Sequence, residues 1–345
     1  MKIAIVSDAW RPQVNGVVRT YEHITSELRI MGHDVLMVTP EGFATIPCPT
    51  YPSIRLALHP RPRMRRLLRD HAPEALHIAT EGPLGNAARG CCIGRNIPFT
   101  TSFHTQFPEY IRMRAPIPIA WTYAWMRRFH GRAQRTLVPT PSLRDRLLRR
   151  GFDNLVVWPR GVNTDLFRPS PAPVLDLPRP VFAYAGRVAV EKNVEAFLKL
   201  PLPGSKLVIG DGPALGRLRA AYPKAHFTGF RFGAELAALV GCADVFVFPS
   251  VTDTFGLVLL EAMACGVPVA AFPVTGPKDV VVNGVTGILD NDLETAARAA
   301  LGLSSAACIE FARSHSWRRA AEVFLQNLAP IPAGSPEPAY ESSSG

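Results

Sequence analysis

Residues 248–272 read FPSVTDTFGLVLLEAMACGVPVAAF. The stretch begins at the end of a strand, because Val245, Phe246, Val247 and Phe248 form a short apolar run of the buried-strand type. Residues 249–254 are turn-rich, and Thr254 suits the cap of a helix. Helical spacing then runs over residues 255–264, Gly266 stops it, and residues 267–270 start the next strand. A helix entered from the carboxyl end of a strand presents free N–H groups and the positive end of its dipole, which makes a seat for phosphate. Asp253 and Glu261 place a carboxylate on either side of that seat. Strand-loop-helix units are common in α/β proteins, so a purely architectural reading stands beside the functional one.

Working outward, the second half repeats the alternation. A strand over 181–185 ends in Gly186-Arg187-Val188, and Glu191-Lys192-Asn193 opens a helix. A strand at 206–210 is followed by Asp211-Gly212-Pro213 and another helix, and a strand at 225–228 runs into Gly229-Phe230-Arg231. A strand at 287–290 and helices at 292–301 and 303–328 complete the half. Asp290-Asn291-Asp292 has the D-x-D form of a metal motif, but its position at a helix start reads as N-cap chemistry. The first half opens with a strand at 2–7, a loop, a helix to about residue 31 and a strand at 35–39, the β-loop-α-β order of a doubly wound parallel sheet. Its loop lacks G-x-G-x-x-G, so no dinucleotide cofactor is indicated. It does carry Asn15-Gly16 at the helix entrance, where a glycine lets the backbone approach a ligand or merely makes a tight turn. Further strands fall at 75–79, 98–102, 137–139 and 155–158, with helices at 61–69, 83–94 and 142–150. His104 follows the strand at 98–102 directly, at the sheet end where ligands of open α/β folds gather.

The chain of 345 residues is long enough for two domains with sizeable cores, and 47% hydrophobic with 19% charged residues is a globular composition. Six scattered cysteines without a C-x-x-C spacing read as reduced thiols of a cytoplasmic protein. The first residues, MKIAIVSDAW, form a strand, not a signal peptide, and no apolar run spans a bilayer. Charge is uneven: residues 1–165 carry 23 Lys and Arg against 12 Asp and Glu, whereas residues 166–345 carry 15 against 16. A basic first half suits an anionic membrane surface or nucleic acid, and it also suits a merely arginine-rich codon usage. No nucleic-acid-binding motif accompanies it, so a nucleic-acid partner is not expected.

The basic excess is concentrated at 61–69 and within 107–135, FPEYIRMRAPIPIAWTYAWMRRFHGRAQR. There Arg112, Arg114, Arg127 and Arg128 alternate with Trp121 and Trp125. Such a mixture fits a membrane interface, and equally an amphipathic helix with its aromatics turned inward.

The run D-T-F-G-L-V-L-L-E-A-M-A-C-G-V-P-V resembles the signature of glycosyltransferase family 4, in particular its lipid-glycosylating and mannosyl-transferring branch. The family pattern places seven residues between two acidic ones, with Glu usual at the first place, where this chain has the shorter Asp253. Gly186-Arg187 and Lys192 match the family's G-R-x-x-x-x-K, and S-F-H-T-Q-F-P-E-Y around His104 is similar to its histidine loop. The resemblance implies an α/β GT-B fold, two Rossmann-like doubly wound parallel-sheet domains with an interdomain cleft. It implies an acceptor-binding domain at 1–167, a linker at 168–180, a nucleotide-sugar domain at 181–315, a helix at 316–328 that can cross back to the first domain, and a disordered tail at 329–345. It further implies a retaining, metal-independent hexosyltransferase with no cofactor beyond its nucleotide-sugar co-substrate. By the same resemblance Arg187 and Lys192 grip the diphosphate, Asp253 binds sugar hydroxyls, Glu261 binds the ribose, and His104 faces the sugar near its reactive carbon. The backbone of Thr254, Phe255, Gly256 and Leu257 meets phosphate, Gly16 lies near the diphosphate and acceptor, and Phe230 and Arg231 frame the base. UDP-glucose, UDP-glucuronate and GDP-mannose all remain as donors. A membrane lipid such as diacylglycerol is the favoured acceptor, reached from the inner face of the membrane. The alternatives are a mannosyltransferase acting on a soluble or cell-wall glycan, and a nucleotide-sugar or nucleic-acid binder without catalysis. The sequence sets no oligomeric state.

Overall fold

The computed structural model describes residues 1–13, 15–48, 51–104, 109, 118–170 and 174–332, with the side chains of 51–53 excepted. The chain divides into two compact units. The first comprises Met1–Pro139, Arg144–Pro159 and the chain from Ala320 onward, and the second comprises Thr140–Leu143 and Arg160–Arg319.

The first unit is built on a six-stranded parallel sheet: β1 (Lys2–Val6), β2 (Asp34–Val38), β5 (Ala75–Ile78), β6 (Thr100–Ser102), β7 (Arg135–Val138) and β8 (Leu155–Val157), in the order β2-β1-β5-β6-β7-β8. Its helices are α1 (Gly16–Ile30), α2 (Arg61–His71), α3 (Pro83–Ile93), α4 (Ile119–His130) and, from Arg144 onward, α5 (Pro141–Leu148). An antiparallel hairpin of β3 (Thr45–Cys48) and β4 (Tyr51–Ala57) lies outside that sheet and outside the sequence reading, because Pro47, Pro49 and Pro52 hide it. Ala4 and Val6 share one core with Met64 and Leu68 of α2 and with Leu84, Ala87 and Ala88 of α3.

The second sheet holds β9 (Val181–Ala185), β10 (Ser205–Ile209), β11 (His226–Gly229), β12 (Val245–Phe248), β13 (Val269–Ala271) and β14 (Gly287–Leu289), parallel throughout, in the order β11-β10-β9-β12-β13-β14. The remaining helices are α6 (Val194–Lys199), α7 (Leu215–Ala221), α8 (Gly233–Val240), α9 (Leu257–Ala264), α10 (Pro277–Val280), α11 (Leu293–Ala300), α12 (Ser305–Arg313) and α13 (Trp317–Asn327). Alternate side chains of a strand point to opposite faces. Val181, Ala183 and Ala185 enter one core with Leu259, Leu260 and Met263 of α9, whereas Phe182 and Tyr184 enter the other with Val194, Phe197 and Leu218. Both faces are covered, which is why the strands read as unbroken apolar runs. Two such sheets with their helices are the GT-B fold.

Several boundaries differ from expectation. Residues 303–328 form two helices, broken at 314–316, where the backbone N–H of His315 turns back to Ala312 O and His315 O accepts from Val162 N. The expected linker is packed on the second unit where it is described: Leu175 and Leu177 lie against its core, and Arg179 pairs with Asp244. Residues 329–332, expected in a disordered tail, are ordered, with Ile331 N donating to Glu74 O at 2.7 Å. Residues 333–345 lie outside the described residues.

The first sheet diverges between β1 and β5, whose chain connections leave in opposite directions. Asp8, just past β1, closes that point. Its carboxylate accepts from Leu84 N at 2.8 Å and Gly85 N at 3.1 Å, and from Thr80 Oγ1 at 3.0 Å, so it caps α3 from another strand. Burial pushes the Asp8 carboxyl above its usual value, against the pull of those three bonds. Asp8→Ala strands two shielded N–H groups and is expected to destabilise the first unit by about 1–2 kcal/mol. Amide exchange at Leu84 and Gly85, with the urea midpoint, measures it, and Asp8→Asn, whose amide oxygen still accepts, is expected to lose less.

Candidate active site

The second sheet diverges between β9 and β12, and the carboxyl ends of such strand pairs form the ligand crevice of open α/β folds. Past β9 come Gly186, the half-buried Arg187 and a single 3₁₀ turn, Val190–Lys192. Tyr184, buried at the end of β9, donates its hydroxyl to Arg187 O at 2.8 Å and so shapes the turn. Burial first, then the charges of Asp253 and Glu191, hold the Tyr184 phenol far above its usual range, so it stays a donor. Burial pulls the Arg187 guanidinium below its usual value, with Glu191 opposing, and a guanidinium so placed remains charged. Past β12 comes the loop 249–256.

Three contacts bind the two loops. Lys192 Nζ donates to Asp253 Oδ1 at 2.5 Å, Asn193 Nδ2 to Pro249 O at 3.2 Å, and Thr252 Oγ1 to Glu191 O at 3.3 Å. Arg187, Lys192, Asp253 and the 254–257 backbone are therefore assembled by one pair of adjacent strand ends. Thr254 does not cap the helix. Gly256 takes that position with φ 85°, in the left-handed region, while Phe255 turns into the core, so α9 starts at Leu257, two residues later than its spacing suggests. Glu261 follows in the second turn, nearly buried. Phe230 and Arg231 are placed apart from this group, past the edge strand β11 and two strands from β9. There Phe230 and Phe232 stack at 5.9 Å, both exposed, and Arg231 pairs with Glu235 at 3.7 Å.

Sequence reasoning passed over Gly210 and Gly212, just past β10. A Cβ at Gly210 would lie 1.8 Å from Gly186 O, and one at Gly212 would lie 2.4 Å from Val188 O. The G-x-G directly after an apolar strand was the available signal for this close approach. Asp292 is the N-cap of α11 as its position suggested, accepting from Glu294 N. Among the described residues no group of three His, Cys, Asp or Glu is arranged to hold a metal ion.

In the first unit, Asn15 caps α1, its Oδ1 accepting from Val17 N and Val18 N at 3.0 Å each, which leaves Gly16 exposed as the first helical residue. His104 lies two residues past β6, half-buried, with Nε2 3.0 Å from the Tyr21 hydroxyl and its ring edge-on to Trp158. Tyr21, Trp158 and His77 were missed, because each sits in an apolar helix face or strand and reads as core. On α4, Thr122, Tyr123, Met126 and Phe129 are buried, whereas Trp121 is 71% and Trp125 42% exposed, one turn apart, with Arg127 and Arg128 also outward. Arg112 and Arg114 lie outside the described residues. No helix among the described residues is long and apolar enough to cross a membrane.

Comparison with known proteins agrees with this architecture. Residues 14–166 match the family description Glycosyltransferase Family 4, and residues 179–305 match Glycosyl transferases group 1. The chain is 34% identical over 317 residues to the GDP-mannose-dependent alpha-mannosyltransferase of Mycolicibacterium smegmatis, covering 84% of each. It is 26% identical over 317 residues to the alpha-monoglucosyldiacylglycerol synthase of Acholeplasma laidlawii, covering 78% of this chain and 79% of that one. Among solved structures it resembles Anabaena Alr3699/HepE in complex with UDP-glucose, with a TM-score of 0.70, 15% identity, and coverage of 94% of this chain and 98% of that one. With both halves matched and the GT-B sheets in place, the chain belongs to glycosyltransferase family 4 and is a retaining, nucleotide-sugar-dependent hexosyltransferase.

Proposed function

We propose that this enzyme is an α-mannosyltransferase that takes mannose from GDP-mannose and delivers it to a lipid-borne hydroxyl at an anionic membrane surface. The donor assignment is supported by the 34% identity, over 84% of both chains, to a GDP-mannose-dependent relative. The acceptor assignment rests on one observation, the outward pair Trp121 and Trp125 beside Arg127 and Arg128 on α4. Exposed tryptophans one turn apart anchor at the headgroup level, and neighbouring arginines meet anionic lipid. Arginines 61, 63, 65, 66 and 69, outward on α2, add to the same attraction.

In the reaction, the bond from the sugar's anomeric carbon to the donor phosphate oxygen breaks, and a bond from that carbon to the acceptor oxygen forms on the same face. The acceptor proton passes to the departing phosphate oxygen. Charge therefore develops on the diphosphate, and Arg187 and Lys192 are the cations that stabilise it, with the N–H groups at the start of α9. Lys192 is held in readiness by Asp253, whose carboxylate also accepts from sugar hydroxyls. Glu261 accepts from the ribose, and His104 orients the sugar.

Arg187→Ala and Lys192→Ala are each expected to lower kcat by roughly 10²–10³-fold, equivalent to about 3–4 kcal/mol. Turnover within about threefold of wild type in both variants contradicts the diphosphate assignment. The donor is tested by GDP or UDP release from GDP-mannose, UDP-glucose and UDP-glucuronate in the presence of vesicles. GDP-mannose is expected to be turned over fastest, and preference for a UDP-sugar refutes the donor reading. Flotation tests the surface. Binding is expected to require anionic lipid, to fall as salt screens charge over about 8 Å, and to weaken at least tenfold, a loss of about 1.4 kcal/mol, in the Trp121→Ala, Trp125→Ala double variant. A protein that stays unbound at low salt on strongly anionic vesicles favours a soluble glycan acceptor.

A further inference from the structure

Beneath His104 the first unit buries a cluster of polar groups that the reaction described above does not use. Tyr21, fully buried on α1, brings its hydroxyl within 3.0 Å of His104 Nε2, 2.8 Å of His77 Nε2 and 3.1 Å of Ser102 Oγ. His77, fully buried on β5, is held in turn by Thr100 Oγ1 at its Nδ1, 2.8 Å away, and by Ser102 Oγ at its Nε2, 2.9 Å away. A phenol has one proton to give and two lone pairs, so three neighbours at these distances saturate it. The Tyr21 oxygen therefore has a single position, set by two adjacent strands and α1. Trp158 fixes the remaining freedom, lying edge-on to the His104 ring with centroids 6.0 Å apart.

We propose that Tyr21 is the positioning residue of His104: its hydroxyl, anchored by His77 and Ser102, selects the ring nitrogen that points into the protein and fixes the plane in which the imidazole meets the sugar. This rests on the reading that His104 faces the reacting sugar. The chain meets the demand by burying an otherwise costly group of hydroxyls and an imidazole in the sheet. A half-buried histidine at a loop start retains several rotamers, and one bond to a buried phenol restricts them before substrate arrives.

Tyr21→Phe keeps the ring and its packing but deletes the bond. It is expected to lower kcat about tenfold while leaving KM for the sugar nucleotide within about twofold, because His104 acts on geometry and not on donor affinity. Ser102→Ala loosens one anchor of the Tyr21 hydroxyl but spares the Tyr21–His104 bond, so its kcat is expected to fall by less than that of Tyr21→Phe. In the background of His104→Ala, Tyr21→Phe is expected to cost nothing further. The ¹⁵N resonances of the His104 ring, identified by their loss in His104→Ala, are expected to shift in Tyr21→Phe and to shift less in Ser102→Ala, a readout independent of turnover. If His104→Ala retains wild-type kcat, the role of the histidine is wrong and the proposal falls with it. If His104→Ala is impaired but the two substitutions add, if Ser102→Ala costs as much as Tyr21→Phe, or if the His104 resonances do not move, the role of Tyr21 alone is overturned.

Discussion

The loops at the divergence point of the second sheet are tied by the ion pair between Lys192 and Asp253. It spans the point where the sheet's connections diverge, and its side chains are only 22% and 16% exposed. A pair at this separation and partial burial attracts by several kcal/mol at an effective dielectric of about 20, though desolvation returns much of that. Its value lies in placement. The loop after β9 and the loop after β12 have no strand ladder to register them, and the pair, with Asn193 on Pro249 O and Thr252 on Glu191 O, supplies that register. On the proposed reading, a diphosphate arriving beside Lys192 would meet a cation already in position, so little reorganisation would be required of the protein when charge develops on the leaving group.

The first unit solves the same problem with a different aspartate. Asp8 bridges the ends of β1 and β5 through Thr80 and the first N–H groups of α3. Both sheets thus set a carboxylate at their divergence point. In the second it is satisfied partly by a lysine, the kind of partner an anion can compete for. In the first it is satisfied by the Thr80 hydroxyl and two backbone N–H groups.

The legible parts of the chain were those where local chemistry and global fold agree. Val245–Phe248, the glycine stop at Gly266 and the end of β9 before Gly186 were all readable within a few residues, and the strand alternation followed from burial on both sheet faces. What escaped was set by groups distant in sequence. Phe255 keeps helical spacing, yet the core takes its ring and Gly256 absorbs the bend, so the helix begins later. His77 looks like an ordinary member of an apolar strand until Tyr21, 56 residues earlier, is placed over it. The aromatic-rich segment at 107–135 offered two readings, and the described helix turns Tyr123 and Phe129 inward and Trp121 and Trp125 outward, a division that the residue types alone do not reveal.

The return of residues 320–332 to the first unit has a consequence for how the protein is made. Trp158 Nε1 donates to Ala320 O across 162 residues, Phe324 packs against both Trp158 and His77, and Ile331 adds a bond to Glu74. As the chain leaves the ribosome, the second unit has every one of its segments available once residue 319 has emerged, whereas the first still waits for the ring and carbonyl that cover its tryptophan. Closing contacts over so long a loop are slow to form, and the surface they cover is apolar until they do. The half synthesised first is therefore the half completed last, and during that interval its Trp158 and His77 face lacks the cover that Ala320 and Phe324 give it.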